Sequence, residues 1–169
     1  MPSAQRPGPV FGPIAPIVTR FDVVAAPDDE LTLYDRAGGM PFFERLVDEF
    51  YVGIAGDEVL GPMYPDYPDF SAGKRRLTLF LAQYWGGPMT YHEERGHPRL
   101  RMRHFPFTIG TRERDRWLTH MAGAIERTCN GMPDGADIAG ELLRYFVPAA
   151  EAMRNDTGLP LTSAGYGKG

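Results

Sequence analysis

Tyr84-Trp85-Gly86-Gly87-Pro88, then Tyr91, then His97-Pro98-Arg99-Leu100-Arg101-Met102-Arg103-His104-Phe105-Pro106-Phe107 form one stretch around which the other segments arrange themselves. Two aromatic residues close a helix, and Gly86-Gly87-Pro88 stops it. A polar loop predicted over Met89 to Pro98 leads into a short helix over Leu100 to Arg103, ending near His104. A single imidazole among arginines and aromatic rings has the parts to hold a flat, doubly anionic, iron-centred cofactor. Taken alone, a histidine capping a short helix is more often a packed side chain than a ligand. The surrounding chain therefore has to supply the other walls.

Upstream, Pro41 sits where a first-turn proline is favoured. Phe42, Phe43, Leu46, Val47, Phe50, Tyr51 and Ile54 then recur at helical spacing, predicting an amphipathic helix over 41–55. Thr32 to Arg36 reads as a helical turn closed by Gly38-Gly39. After the Gly56-Asp57 break, Glu58 to Met63 forms another short turn, and Tyr64-Pro65 and Tyr67-Pro68 form a stiff, extended corner. A helix from about Asp69 to Trp85, capped by Asp69 or Ser71, turns Leu77, Phe80, Leu81 and Tyr84 inward. Two more helices follow, Thr111 to about Cys129 and about Asp134 or Asp137 to Met153, the last expected to bend or break at Pro148. No alternating strand pattern of useful length is present. The pattern is all-α, with four substantial helices and several short ones.

Residues 1–31 hold six of the sixteen prolines and lack helical periodicity, which predicts an extended or disordered arm. The Gly-rich 156–169 reads as a frayed tail, leaving 32–155 as the folded domain. A formal charge of −4 argues against a general nucleic-acid binder, despite local arginines between Arg95 and Arg116. The one cysteine, Cys129, allows no intrachain disulfide and fits a reducing cytoplasm. No apolar run reaches the ~20 residues needed to cross a bilayer.

Four histidines compete for chemistry: His92, His97, His104 and His120. His92 and His97 are five residues apart, not four, so they miss the helical zinc-protease spacing. A zinc site from His92, His97 and His104 would depend on the loop's fold. His120, three residues after Trp117 on a charged helix, reads as a surface or satisfied histidine. Tyr51, Tyr64 and Trp117 each carry one donor on or beside an apolar face. Singly each reads as a core aromatic; together they could surround one small polar ligand.

The Tyr84–Pro88 segment with Tyr91, and Arg95-Gly96-His97-Pro98-Arg99-Leu100-Arg101-Met102-Arg103-His104 with Phe107, resemble the group II truncated haemoglobins of actinobacteria. Gly38-Gly39, Phe50-Tyr51, Glu58-Val59-Leu60 before Tyr64-Pro65, and Glu113-Arg114-Asp115-Arg116-Trp117 continue the resemblance in order, over about 32–155. It implies a truncated-globin two-over-two helical sandwich enclosing haem b, with His104 as the iron ligand. It further implies a distal side of Tyr51, Tyr64 and Trp117, with Gly73 where many globins place histidine. Leu77 and Phe80 match wall positions, and Tyr84, Tyr91 and Met102 lie in the matching cofactor segments. Arg76 matches the position that meets a propionate, with Arg101 a second candidate. Nothing carries over to the arm 1–31.

The expected function is reversible binding of dioxygen, with carbon monoxide and nitric oxide as further ligands. The alternative is a haem enzyme for nitric oxide dioxygenation or peroxide turnover, served by an unidentified reductase. A third reading, a colourless helical interaction module recruiting a partner through the arm, needs no cofactor. Whether the chain forms a homodimer is left open.

Overall fold

A computed structural model describes residues 30–157. The arm assigned to 1–31 and the tail assigned to 156–169 lie outside the described residues, apart from two positions each. Seven α-helices and one 3-10 turn follow in order: α1 Leu33–Ala37, α2 Met40–Ala55, the 3-10 turn Gly61–Met63, α3 Ser71–Tyr84, α4 Thr90–Arg95, α5 Leu100–His104, α6 Thr111–Cys129 and α7 Gly135–Ala152. No strand occurs among the described residues.

The apolar stripe of α2 is the centre of the core. Phe43, Leu46, Phe50 and Ile54 are fully buried, each contributing roughly 1.5–3 kcal/mol by leaving water. α2 packs on α3 at one side and on α6 at another, and α6 packs on α7. Two helix pairs, α2 with α3 and α6 with α7, thus stack as the expected two-over-two sandwich. Leu81, Met121, Ile125, Ile138 and Leu142 close the interior.

Gly86-Gly87 does more than stop a helix. Gly86 adopts a φ of +100°, and a Cβ there would meet Thr32 Cγ2 at 2.6 Å. At Gly87 a Cβ would meet the Tyr34 ring at 2.6 Å. The motif lets α1 dock directly, and the Tyr34 N–H donates to the Trp85 carbonyl at 3.0 Å. Thr32 and Asp35 form the reciprocal N-terminal cap of α1.

Three expectations require correction. The predicted loop over Met89 to Pro98 contains α4. Six residues are too few to hold a helix by propensity, and tertiary contacts hold this one. Tyr91 is buried against Phe80, and Gln83 Oε1 accepts the His92 N–H at 2.9 Å. α3 is capped differently, with Phe70 at the N-cap, while Asp69 Oδ1 accepts the N–H and hydroxyl of Ser71 from one residue further out. α7 runs unbroken through Pro148. An interior proline costs about 3 kcal/mol, and buried Ile138, Leu142 and Phe146 outweigh it. The end is also fastened: Ile109 N–H donates to Asn155 Oδ1 at 2.9 Å, and Asn155 N–H returns a bond to the Ile109 carbonyl at 3.0 Å.

A buried carboxylate ties the corner after α2 to α6. Asp57 accepts from Val59 and Leu60 N–H, Arg116 Nε and His120 Nε2. Burial alone would raise its carboxyl; the bonds from His120, Leu60, Arg116 and Val59 outweigh burial and hold it well below the usual carboxylate range. Its stabilisation is complete above the ordinary carboxylate pKa of ~4 and is lost as pH falls below it. The melting-temperature advantage of the wild type over Asp57→Asn is therefore expected to shrink steadily as the pH is lowered from 5. A difference independent of pH would contradict this.

Candidate functional site

α2, the corner after the 3-10 turn, and α6 bring Tyr51, Tyr64 and Trp117 together. The Tyr51 and Tyr64 rings meet edge-on at 5.6 Å, and Phe50 bridges Tyr51 at 5.3 Å and Trp117 at 5.2 Å. Tyr64 has the extended backbone expected before a proline. The Trp117 indole N–H can only donate, whereas each phenol can donate or accept. Burial pushes the Tyr51 phenol up to about 12. Burial likewise raises Tyr64, followed by the neighbouring Tyr51, with the Trp117 indole opposing. Both phenols are protonated donors throughout the neutral range.

The glycine at position 73 now has a physical reason. A Cβ there would lie 2.7 Å from Tyr51 Oη, so the phenol fills the space that a side chain would take. Alanine gains about 1 kcal/mol in helix propensity, against a crowding cost of about 1–3 kcal/mol. Gly73→Ala is expected to leave the melting temperature within a few degrees of wild type while displacing Tyr51. Ultraviolet resonance Raman of the tyrosines checks this, and an unchanged Tyr51 signature would refute it. Beside the phenol, Arg76 Nη2 pairs with Asp66 Oδ2 at 2.6 Å, and the two charges act on Tyr51 in opposite directions.

An unbroken series of ring contacts leads out of this cluster. From Trp117 it passes to Phe146 at 5.6 Å, Tyr145 at 5.2 Å, Tyr84 at 4.3 Å, Phe80 at 6.4 Å and Tyr91 at 5.6 Å. Tyr84 is 43% exposed, whereas Phe80 and Tyr91 are buried. Leu77 is half-buried against the same core.

His104 stands apart at the end of α5. Arg99 enters the helix in the left-handed region at φ +45°, a conformation with a real cost outside glycine. Its N–H donates to His97 Nδ1 at 3.1 Å, and Arg103 Nε donates to the Pro98 carbonyl at 2.7 Å, which fix the entry turn. His104 Nδ1 lies 2.7 Å from the Leu100 carbonyl. A carbonyl only accepts, so Nδ1 carries the proton and Nε2 keeps its lone pair, the arrangement that prepares an imidazole for a metal. No residue of α5 is buried; Met102 is 61% and the following Phe105 60% exposed.

Arg95, Arg99, Arg101 and Arg103 form no ion pair among the described residues, whereas Arg36, Arg75, Arg76, Arg112, Arg114, Arg116, Arg127 and Arg154 all do. Cations beside His104 thus remain available to an anionic ligand. No group of three His, Cys, Asp or Glu side chains comes together as a metal site among the described residues, so His92, His97 and His104 make no zinc site. One oriented imidazole, aromatic walls and unpaired arginines are a donor set that fits haem.

The structure gathers Tyr51, Tyr64, Trp117, Gly73 and Arg76 in one place, and Phe80, Tyr84 and Tyr91 in another linked to it. Arg101 and Met102 share α5 with His104 and stand exposed. Sequence reasoning missed Asp57 and Asp66, whose partners lie 59 and 63 residues (Asp57) and 10 residues (Asp66) away along the chain. It also missed Tyr145 as the bridge to Tyr84; a core periodicity marks burial and not ring-to-ring contact.

Residues 32–149 match the bacterial-like globin family. The group 2 truncated hemoglobin YjbI of Bacillus subtilis is 42% identical over 91 residues, covering 54% of this chain and 67% of that protein. The solved structure of a thermostable hemoglobin from the actinobacterium Thermobifida fusca is similar with 53% identity and a TM-score of 0.70, covering 75% of this chain and 99% of that one. A truncated oxygen-avid haemoglobin from Bacillus subtilis is similar with 34% identity and a TM-score of 0.66, covering 74% of this chain and 100% of that one. The fold is that of the two-on-two truncated globins, and the chain belongs to the bacterial-like globin family, with group 2 truncated haemoglobins as its relatives. Family membership implies haem as cofactor and diatomic gases as the class of ligand.

Proposed function

We propose that the chain binds dioxygen reversibly at a haem b ligated by His104. Haem supplies an iron that takes up diatomic molecules; the protein's residues decide how long they stay. The observation that carries the proposal is the gathering of three donors, Tyr51, Tyr64 and Trp117, with the tyrosine rings 5.6 Å apart and Phe50 linking Tyr51 to Trp117, the two phenols being protonated. Dioxygen bound to ferrous iron draws electron density and accepts such bonds, whereas carbon monoxide accepts them less. The cluster therefore favours dioxygen over carbon monoxide. Leu77, Phe80, Tyr84, Tyr91 and Met102 are proposed as walls around the ring. Arg76 and Arg101 are proposed as partners of the propionates, Arg76 with donors beyond the one given to Asp66.

The test is to reduce the haem-loaded protein, admit dioxygen, and follow its release by stopped flow. A stable oxygenated spectrum with slow release supports the proposal; immediate oxidation to the ferric form overturns it. A second reading, nitric oxide dioxygenation or peroxide turnover with an unidentified reductase, is favoured by the ring series from partly buried Trp117 to half-exposed Tyr84. Sustained turnover with nitric oxide and an electron donor, or with peroxide, would select it. No helix among the described residues is long and apolar enough to cross a membrane, and the single cysteine fits action in the cytoplasm.

A further inference from the structure

Asp57 is not part of the donor cluster, yet it holds both elements that build it. Its side chain is 3% exposed. Oδ1 accepts the N–H groups of Val59 and Leu60, each at 2.9 Å, and so shapes the turn that feeds the 3-10 turn Gly61–Met63 and Tyr64. Oδ2 accepts His120 Nε2 at 2.7 Å and Arg116 Nε at 3.0 Å. These two anchors are one turn apart on α6, and Trp117 directly follows the first. A Cβ at Gly53 would collide with His120 Nδ1, so the missing side chain there makes room for the imidazole to pack against α2. One carboxylate therefore grips the backbone leading to Tyr64 and the helix carrying Trp117.

We infer that Asp57, with His120 and Arg116, positions Trp117 and Tyr64 relative to each other and thereby sets how tightly the site holds its diatomic ligand. The ligand half of this inference rests on the haem reading above; the placement of the two side chains does not. A donor's bond to a ligand weakens steeply once its angle or length is disturbed, and Asp57 is bonded both to the backbone ahead of Tyr64 and to α6 on either side of Trp117. His120 acts here only as an Nε2–H donor, a part that a glutamine amide can replace and a leucine cannot.

The experiment uses the haem-loaded full chain as wild type, Asp57→Asn, His120→Leu and His120→Gln. Two quantities are read: the dioxygen dissociation rate, and the solvent exchange of the Trp117 indole N–H in the carbon monoxide form by nitrogen-15 NMR. Asp57→Asn and His120→Leu are expected to release dioxygen roughly tenfold faster, on the scale of one weakened charge-assisted bond. Both should also exchange the indole proton faster, and His120→Gln should restore both quantities to within about twofold of wild type. Lowered melting temperatures with wild-type release and exchange would overturn the inference and make Asp57 a structural anchor only. If Asp57→Asn does not fold, the His120 pair decides by the same criteria. If the wild type takes up no haem, the haem reading fails on its own. Indole exchange in the haem-free chain then decides the positioning claim, which is upheld if Asp57→Asn speeds it and overturned if it does not.

Discussion

His104→Ala is expected to abolish axial ligation of haem without unfolding the protein. In the wild type supplied with haem, a strong Soret band should move on reduction and again under carbon monoxide. In the variant the band should collapse to the broad absorption of unligated haem, because α5 carries no second histidine. The prediction is sharp because α5 contributes no buried residue to the core. Removing the His104 ring exposes only the Leu100 carbonyl that held Nδ1, and at a surface helix water satisfies that group. Far-ultraviolet circular dichroism of the haem-free variant should therefore match the haem-free wild type. A variant that keeps the full ligated spectrum would remove His104 from the iron. Loss of helicity together with the band would instead make His104 a structural residue.

Trp117→Phe is expected to speed dioxygen release by about ten- to a hundredfold, following the roughly 1.5–3 kcal/mol of a hydrogen bond to a charged group. Phenylalanine keeps an aromatic ring beside Phe50 and Phe146, which lie 5.2 and 5.6 Å from the indole, so the change isolates the donor from the packing. Trp117 and Tyr64 belong to one cluster, linked through the Phe50 and Tyr51 rings. The two residues should act as a unit. Tyr64→Phe combined with Trp117→Phe should then cost much less than the sum of the single changes, the signature of coupled partners. Unchanged release in Trp117→Phe would reduce the indole to a wall. Strict additivity would mean that each donor meets the ligand separately.

The elements that were legible in the chain owe their shape to short-range order. The stripe Phe42-Phe43-Leu46-Val47-Phe50-Tyr51-Ile54 specifies α2 because a 3.6-residue period puts these side chains on one face. Thr111–Cys129 and the Leu100–His104 turn were legible for similar reasons, the first by periodicity and the second by the prolines that bracket it. α4 was not legible, since its stability comes from Tyr91 under Phe80 and from Gln83 on the His92 N–H. The course of α7 through Pro148 was equally hidden. A local rule counts the lost hydrogen bond and cannot count the buried face that outweighs it.

The candidate site divides in the same way. His104 could be named as a candidate because it ends a short helix among arginines and aromatics; the structure adds the Leu100 carbonyl, four residues back, that orients its ring. Tyr51, Tyr64 and Trp117 could be named as donors from side-chain chemistry, but not that they meet. Their ring contacts, the phenol that explains Gly73, and the carboxylate of Asp57 bound to α6 join residues from separate helices and turns. Sequence by itself determined the long helices, the globin resemblance and the choice of His104 as candidate iron ligand, because each depends on neighbours within a turn or on a run of adjacent residues. Tertiary structure alone decided the meeting of the three donors and the set of bonds that Asp57 accepts. Those depend on how α2, the Tyr64 corner and α6 pack, and burial there strengthens each polar contact by excluding the water that would compete for it.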